Sequence, residues 1–211
     1  MSNNDAQTGL RGRPKDPAKR RAILDAAKTL FLSQGFSGTS MDAVAAEAGV
    51  SKLTVYSHFS DKGNLFAAAV EAKCEESMPF PIFSLDDPAE LPAVLERIGR
   101  SFMDLINSEE AISLERLMNS LATQEPEMAR LFFEGGPAKT LHEMERLLAK
   151  ARDLNLVAIS DTAAASELFF GMLQSCRHMQ VLIGCAQPPD RAEAERHVRE
   201  VVRVFLKGYA P

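Results

Sequence analysis

The sequence predicts an all-α fold, and two patterns support that prediction. Apolar residues recur every three or four positions over most of the chain, and no stretch shows the apolar–polar alternation of a strand. Prolines such as Pro126 and Pro137 fall in the first turn of an expected helix, where they are tolerated. With 211 residues, 45% of them apolar and 25% charged, the chain is long enough for one sizeable core or two modest ones.

The apolar spacing predicts about nine helices. The first runs from Pro17 to Gln34, ends at Gly35, and has an inner face formed by Ile23, Ala27, Leu30 and Phe31. A helix beginning near Asp61 extends towards Ser77, and a Pro-Phe-Pro sequence at residues 79–81 then breaks the pattern. Aspartates cap the last two helices, at Asp161 and Asp190. The later helices are expected over residues 89–107, 109–123, 126–134, 137–153, 161–184 and 190–208.

Between the first helix and the one near Asp61, the pattern predicts two short helices joined by a tight turn. The first has an apolar face formed by Met41, Val44, Ala45 and Ala48. Thr39 and Ser40 are candidates to cap it, because Thr39 and Asp42 have the spacing of a capping box. Gly49 ends it and Ser51 caps the second helix. Two helices joined by a short glycine turn form a helix-turn-helix, whose second helix enters the major groove of DNA.

The second short helix is expected to present a mixed outward face. Val55 and Phe59 share its inner face at about 100° per residue. The outward and flanking positions are then Leu53, Thr54, Ser57, Lys52, Tyr56 and His58. An outward leucine suits a surface that contacts a thymine methyl group, although single exposed leucines are common on proteins. Its hydrogen-bonding and cationic neighbours favour contact with DNA.

Four short motifs in this region, taken in order, resemble the TetR/AcrR family of transcriptional regulators. They lie within residues 17–70 and are Gly49-Val50-Ser51-Lys52, Thr54-Val55-Tyr56-Ser57-His58-Phe59, Asp61-Lys62 and Leu65-Phe66. The resemblance implies that Tyr56 and Lys62 contact phosphates. It also implies that the base-facing positions are Lys52, Leu53, Thr54 and Ser57. We place in the same DNA-binding surface Thr39, Ser40, Ser51 and His58.

A basic segment precedes the first helix. Its sequence Arg11-Gly12-Arg13-Pro14-Lys15 resembles a minor-groove-binding AT-hook, in which arginines enter the narrow groove of A·T-rich DNA. A solvated basic tail is the alternative, and the adjacent helix-turn-helix favours an arm whose Arg11 and Arg13 bind DNA. The expected organisation is a flexible basic arm over residues 1–16, a DNA-binding domain over 17–78, and a ligand-binding and dimerisation domain over 79–211.

Charge is divided unevenly along the chain. The formal net charge is −5, yet residues 1–64 hold 9 Lys and Arg against 6 Asp and Glu, whereas residues 65–211 hold 15 against 23. The basic part can contact phosphates while the acidic part faces away from them. This asymmetry is typical of a DNA-binding head on an acidic body.

The segment over residues 112–184 resembles the AefR-like C-terminal domain of TetR regulators, above all in LMNSLATQEPEMARLFFEGGPAKTL. The resemblance implies a pocket for a mostly apolar small-molecule effector, although Met and Phe side chains also fill ordinary cores. The candidates for polar anchors of the effector are Arg116, Asn119, Gln174, Arg177 and His178. The expected pocket residues are Phe102, Met103, Arg116, Leu117, Met118, Leu121, Phe133, Met144, Phe169, Phe170, Leu173 and Arg177.

The last two long helices predict a homodimer. The helix beginning near residue 161 is apolar nearly all round, so it must be buried on two sides, and a second copy of the chain supplies one of them. We expect Gly171 to lie at a close helix contact, where leucine would disturb the bundle. The expected dimer interface contains Leu168, Met172, Ser175, Met179, Leu182, Val198, Val201, Val202 and Phe205.

Other function classes lack a recognisable motif. No histidine has a nucleophile partner, and the three cysteines are too scattered for a disulfide framework, so we expect no enzyme, cofactor or metal site. No apolar run approaches the roughly 18 residues that span a bilayer, and the N-terminus lacks a signal peptide, so we expect a cytoplasmic protein without a membrane partner. The sequence therefore predicts a homodimeric repressor, released from palindromic double-stranded operator DNA by a small molecule. A constitutive or architectural DNA-binding protein without a pocket is the alternative.

Overall fold

The computed structural model of the chain describes residues 16–211, and all regular structure in that range is helical. The expected all-α fold is therefore confirmed. The α-helices are α1 (Pro17–Gly38), α2 (Met41–Glu47), α3 (Lys52–His58), α4 (Lys62–Ser77), α5 (Leu91–Ile106), α6 (Glu109–Leu121), α7 (Pro126–Gly135), α8 (Pro137–Asp153), α9 (Thr162–Leu182) and α10 (Arg191–Gly208). Two 3₁₀ turns, Phe80–Phe83 and Pro88–Glu90, connect α4 to α5. The six helices expected after residue 88 lie within two residues of their expected bounds.

Aspartate side chains begin several of these helices. The carboxylate of Asp61 accepts a hydrogen bond from the backbone N–H of Asn64 at 2.8 Å, which starts α4. Asp161 starts α9 in the same way. Asp190 and Glu193 form a complete capping box at the start of α10. The expected caps at Asp161 and Asp190 are therefore confirmed, and each satisfies backbone donors that a helix start leaves without a partner.

The described chain contains two hydrophobic cores. Helices α1 to α4 surround one core, into which Met118 of α6 and Met128 of α7 are also buried. Helices α5, α8, α9 and α10 surround the other, together with residues 78–91. Because α6 and α7 pack against the N-terminal helices, the break at residue 79 does not separate the two cores. The division into domains at that residue stays a prediction.

Helix α4 packs very closely against the junction of α7 and α8. A Cβ atom added to Gly135 would lie 2.8 Å from the backbone oxygen of Ala67, and one added to Gly136 would lie 2.8 Å from the sulfur of Cys74. The Gly-Gly-Pro sequence lies where α7 ends and α8 begins. The absent side chains let α4 approach the later helices at backbone distance, so glycine is required here for packing.

Two expectations for the last helices are wrong. Four residues expected at a dimer interface are buried inside the single chain, in the core of α5, α8, α9 and α10: Val198, Val201, Val202 and Phe205. They form the inner stripe of α10, which packs against α5 of the same chain. Gly171 is not at a close contact either, because a Cβ atom there would meet nothing within 4 Å. The close glycine is Gly99, where an added Cβ would lie 2.8 Å from Val198 Cγ1.

Helix α9 is broken at Ser175, whose φ of 53° and ψ of 179° are not helical. The break leaves carbonyl groups of the preceding turn without their helical partners. His197 of α10 supplies one replacement, since its Nε2 lies 3.0 Å from the Met172 oxygen and 3.1 Å from the Leu173 oxygen. Ser175 also accepts a hydrogen bond from the N–H of Arg177 at 3.3 Å, so it starts the second half of the helix.

Candidate nucleic-acid interface and interior cavity

The turn between α2 and α3 is built from two serine caps and a glycine. Ser40 accepts a hydrogen bond from the N–H of Ala43 at 3.1 Å, and Ser51 accepts one from the N–H of Thr54 at 3.1 Å. Gly49 between them has a φ of 64°, the left-handed conformation that favours glycine. The expected helix-turn-helix geometry is therefore present, with Ser40 rather than Thr39 as the cap of α2.

Thr39 does not belong to the exposed surface. Its side chain is 2% exposed, and its hydroxyl donates a hydrogen bond to the Gly35 oxygen at 2.7 Å. Gly35 breaks α1 with a φ of 71°, which leaves that oxygen without a helical partner. The expected capping box of Thr39 and Asp42 is therefore wrong, and so is the expected contact between the Thr39 side chain and DNA.

Helix α3 is held by one face and exposes the other. Val55 is fully buried and Phe59 is 5% exposed, as expected for the inner face. Leu53 is 80% exposed and Tyr56 is 44% exposed. The remaining residues assigned to this face are exposed (Ser40, Ser51, Lys52 and Ser57) or half-buried (Thr54 and His58). A leucine this exposed contributes little to the packing of residues 16–211, so its side chain is available to another molecule.

Lys52 is oriented by a carboxylate on the preceding helix. Its ammonium lies 2.8 Å from Asp42 Oδ1 and 6.0 Å from the centre of the Tyr56 ring. The hydrogen bond to Asp42 raises the pKa of Lys52 above its ordinary value. This ion pair connects α2 to α3 at the exposed face, and it holds the cation beside the outward residues of α3.

Lys62 makes contacts that differ from the expected phosphate contact. Its ammonium donates to the Phe36 oxygen at 2.7 Å and to the Thr39 oxygen at 2.9 Å, and it lies 4.3 Å from the centre of the Phe36 ring. The phosphate contact that the resemblance implies for this side chain stays a prediction. Lys62 joins the end of α1 and the segment before α2 to the first turn of α4, and so fixes the position of the helix-turn-helix.

Replacing Lys62 with methionine is expected to destabilise the chain by about 1–3 kcal/mol, the usual range for hydrogen bonds from a charged donor. Methionine keeps the length of the side chain but leaves two half-buried carbonyl oxygens without their donor. Urea unfolding followed by circular dichroism measures the effect. Lys207→Met, which removes an exposed lysine from the last turn of α10, is the matched control. Equal stability of the two variants would contradict this role for Lys62.

A cavity of about 850 Å³ lies between the N-terminal helices and the later ones. Helices α1 and α4 form one side, and α5 to α9 form the rest. Its size falls within the range of small-molecule sites. Six phenylalanines from five different helices line it: Phe31, Phe66, Phe102, Phe132, Phe133 and Phe170. The aromatic part of the wall suits a flat, largely apolar molecule.

The structure places only three of the expected pocket residues at this cavity, namely Phe102, Phe133 and Phe170. The other expected residues lie away from this cavity, because their side chains have different partners. Three are buried in the core of α5, α8, α9 and α10: Met144, Phe169 and Leu173. Three belong to the N-terminal core or pack against it: Leu117, Met118 and Leu121.

The remaining three expected pocket residues lie elsewhere. Arg116 donates hydrogen bonds at 2.7 Å to the oxygens of Val181 and Leu182, and so caps the end of α9. Met103 and Arg177 line a second cavity of about 360 Å³, beside the break in α9. Gln174, one of the expected polar anchors, borders both cavities.

Sequence reasoning missed the contribution of the N-terminal helices to the cavity. Phe31 and Phe66 look like ordinary core positions of α1 and α4, and both also belong to the N-terminal core. The charged residues at the cavity, among them Lys28 and Lys73, give no local signal either. Their role depends on α6, α7 and α8 folding back over α1 and α4, which no short-range pattern reveals.

Ion pairs surround the cavity. Lys28 lies 3.2 Å from Asp25 and 3.6 Å from Glu76. Lys73 of α4 pairs with Glu110 of α6, and this hydrogen bond lowers the pKa of Glu110. Cys74, also at the cavity, is a neutral thiol near pH 7, because burial raises its pKa to about 11.

Helix α9 exposes large apolar side chains on the outside of the chain. Leu168, Met179 and Ile183 are each more than half exposed, and Val204 of α10 is 43% exposed. Leu168 and Met179 are among the residues expected at a dimer interface. Of the remaining expected residues on this helix, Ser175 is exposed, and Met172 and Leu182 are half-buried. A monomer seldom exposes so many large apolar groups on one helix, which makes α9 the candidate contact surface.

Comparison with known families identifies both halves of the chain. Residues 23–69 match the family described as bacterial regulatory proteins, tetR family. Residues 93–211, more than half of the chain, match the AefR-like transcriptional repressor C-terminal domain. The chain belongs to the TetR family. It is a DNA-binding transcriptional repressor by class, and the expectation that it is not an enzyme is confirmed by this membership.

Relatives of this TetR protein agree with that assignment. The HTH-type transcriptional repressor SCO4008 of Streptomyces coelicolor is 29% identical over 169 residues, which are 74% of this chain and 76% of that protein. The HTH-type transcriptional regulator YdeS of Bacillus subtilis is 37% identical over 71 residues, which span only 36% of that protein. The flavonoid-responsive regulator FrrA is 30% identical, with a TM-score of 0.74 over 93% of this chain and 99% of that one.

A crystal structure of a TetR-family regulator from Mesorhizobium loti has the same fold. It is 28% identical to this TetR protein, with a TM-score of 0.75 over 94% of this chain and all of that one. Between residues 16 and 211, none of the helices is both long and apolar enough to cross a membrane. The same residues contain no group of three His, Cys, Asp or Glu side chains arranged to bind a metal ion.

Proposed function

We propose that this TetR-family protein is a homodimeric repressor that a mostly apolar small molecule releases from a palindromic operator. The cavity is the observation that carries this proposal, because helices of the DNA-binding head and helices of the body line it together. A molecule inside it contacts α1 and α4 directly. Its binding is therefore coupled to the position of the helix-turn-helix by the shortest available route.

The outward face of α3 supports the proposed contacts with bases. Leu53 suits a thymine methyl group, and Lys52, Thr54 and Ser57 supply hydrogen-bonding groups beside it. Tyr56 is exposed enough to donate its hydroxyl to a phosphate, a contact that positions the protein without reading sequence. The arm residues Arg11 and Arg13 lie outside the described residues, and their contact with A·T-rich flanking DNA remains part of the proposal.

The exposed apolar side chains of α9 support the proposed homodimer. Leu168, Met179 and Ile183 would be covered by the same surface of a second copy across a two-fold axis. Two heads must then present their α3 helices about 34–36 Å apart, or a multiple of one DNA turn, to reach successive major grooves. A palindromic operator follows from that symmetry. Since the partner is genomic DNA, we place the protein in the cytoplasm.

The proposed release mechanism acts through α4. Phe66, Ala69 and Val70 of this helix line the cavity, and the helix begins directly after α3. A ligand shifts the protein towards the released state only if it binds that state more tightly than the DNA-bound state. A small rotation of α4 changes the spacing between the two recognition helices of the dimer. The flavonoid-responsive relative FrrA supports the idea that a small molecule controls such a fold.

The proposal predicts reciprocal coupling between ligand and DNA. Operator duplexes are first selected from random DNA with the purified protein, and ligands are found by thermal shift against an apolar library. Ligand is then expected to weaken operator binding by about 5–150-fold, and operator to weaken ligand binding by the same factor. Calorimetric titrations with and without the other partner measure both factors. Identical ligand affinity in the presence and absence of operator would favour the alternative, a constitutive DNA-binding protein.

A further inference from the structure

Carboxylates outnumber cations around the large cavity. In the part of the chain that the structure describes, its lining contains three cationic side chains, those of Arg21, Lys28 and Lys73. The same lining contains the five carboxylates of Asp25, Glu76, Glu110, Glu115 and Glu167. The walls therefore carry an excess of two negative charges. An apolar cavity with this balance disfavours an anionic ligand and favours a cationic one.

The cations at the cavity already have carboxylate partners. Lys28 is shared between Asp25 and Glu76, and Lys73 is paired with Glu110. Arg21 lies 3.9 Å from Asp25. Each lysine would have to give up an existing ion pair before it could bind the carboxylate of a ligand. Among residues 16–211, the cavity therefore offers an incoming anion no cation that lacks a carboxylate partner.

Two carboxylates remain after these pairs are formed. Glu115 lies 3.0 Å from the Nε2 atom of His178, a buried histidine. Glu167 has no ion-pair partner anywhere in residues 16–211. It lies on the same side of α9 as Phe170 and Gln174, at spacings of three and seven residues, and all three border the cavity. Glu167 is thus an available acceptor beside an aromatic wall.

The start of α8 favours an anionic ligand rather than a cationic one. The first turn of α8 borders the cavity at Pro137 and Thr140, and no side chain caps this helix. A helix start carries the equivalent of about +0.5 charge, which attracts anions. The start of α6 does not add to it, because Ser108 caps that helix and two glutamates lie in its first turn. Half a positive charge is smaller than the excess of two negative charges.

We propose that the cavity selects flat aromatic molecules that carry a hydrogen-bond donor, either a protonated amine or a phenolic hydroxyl, and rejects the matching carboxylates. Glu167 accepts the hydrogen bond at the edge of the cavity, and the phenylalanine rings hold the aromatic body. An ammonium group also gains from the faces of these rings. This inference rests on the proposed function only in taking the cavity as the effector site.

Three probes with one aromatic body test the inference: 2-naphthylmethylamine, 2-naphthol and 2-naphthoic acid. Their affinities for the full-length protein are measured by calorimetry at pH 7 without DNA. The amine is expected to bind about tenfold or more tightly than the acid, with the neutral naphthol between them or level with the amine. Naphthol level with the amine would identify hydrogen-bond donation as the selected property, and a large advantage of the amine would identify charge.

The variant Glu167→Gln tests the assigned acceptor. This variant is expected to weaken binding of the amine by about fivefold, the upper end for an exposed ion pair. Binding of naphthol is expected to stay nearly unchanged, because the amide oxygen of glutamine still accepts its hydrogen bond. Glu75→Gln, which removes the same charge from an exposed position of α4 outside the cavity, is expected to change nothing. Equal losses in both variants would show a general charge effect and overturn the role of Glu167.

Two results overturn the inference as a whole. One is tighter or equal binding of the acid, and the other is absence of binding by all three probes at millimolar concentration. Neither result bears on DNA binding, because no DNA is present in these titrations. Conversely, a donor-bearing probe that binds as expected but leaves operator affinity unchanged contradicts the proposed release mechanism and leaves the ligand preference intact.

Discussion

Replacing Gly135 with alanine is expected to weaken operator binding by roughly tenfold or more and to destabilise the protein by about 1–3 kcal/mol. The new Cβ atom would lie 2.8 Å from the backbone oxygen of Ala67 and 3.3 Å from its Cα atom. A backbone cannot turn aside as a flexible side chain does, so α4 must move away from α7. That movement is transmitted to the helix-turn-helix, because Lys62 fixes α4 to the segment before α2 and because α3 shares one core with α4.

Gly208→Ala is the matched control for this substitution. Gly208 lies in the last turn of α10, its φ is not positive, and a Cβ atom there would meet nothing within 4 Å. This variant is expected to keep wild-type operator affinity. Urea unfolding and fluorescence anisotropy with labelled operator measure both effects. Wild-type operator affinity in Gly135→Ala, together with the expected loss of stability, would show that the position of α4 does not control DNA binding.

The helix-turn-helix was predictable because its determinants are local. Ser51 caps α3 by accepting a hydrogen bond from a backbone N–H three residues later, and Gly49 supplies the left-handed turn. Val55 and Phe59, four residues apart, lie on the same buried face. Each signal lies within one or two helical turns of the structure that it predicts. The sequence therefore predicts both the motif and the exposure of Leu53.

The role of Lys62 was not predictable in the same way. Its acceptors are the oxygens of Phe36 and Thr39, which are 26 and 23 residues away. Phe36 lies near the end of α1, after the break at Gly35, and Thr39 lies in the short segment between α1 and α2. A lysine at a helix start is equally compatible with a phosphate contact and with an internal one. Only the packing of α1 against α4 decides between them.

Amphipathic patterns also fail to tell which partner covers an apolar stripe. The stripe of α10 containing Val198 and Phe205 predicts burial correctly, yet its partner is α5 of the same chain rather than a second copy. The tight contact is made possible by Gly99, not by Gly171. The expected pocket residues are spread over several sites for the same reason. Met and Phe residues predict which positions are buried. Tertiary packing determines which buried helices leave a cavity between them.

Gly171→Trp is expected to weaken ligand binding by more than about a hundredfold without unfolding the protein. Gly171 borders the cavity on α9, and a side chain there starts in open space, since an added Cβ meets nothing within 4 Å. The indole is expected to fill part of the volume that the ligand would occupy. Replacing a glycine inside a helix also removes its entropic cost, which offsets part of any strain by about 0.5–1 kcal/mol.

Gly171→Ala is the matched control, because it gains at least as much helix propensity as the tryptophan variant and leaves the cavity open. Size-exclusion chromatography of both variants checks that the exposed face of α9, which also contains Leu168, still gives the wild-type oligomeric state. Wild-type ligand affinity in Gly171→Trp would contradict the assignment and direct attention to the second cavity, of about 360 Å³, beside Ser175.

Operator binding by Gly171→Trp distinguishes filling of the cavity from release of DNA. If release requires a ligand that favours the DNA-incompetent position of α4, then an indole fixed to α9 has one of two effects. It either leaves operator affinity at the wild-type value or lowers it permanently, depending on whether it contacts Phe66 and Val70 across the cavity. In both cases added ligand is expected to change operator affinity by less than about twofold, because coupling between two sites requires that both be occupied. A variant that has lost ligand binding in solution but still releases DNA on addition of ligand would show that the effector acts from another site.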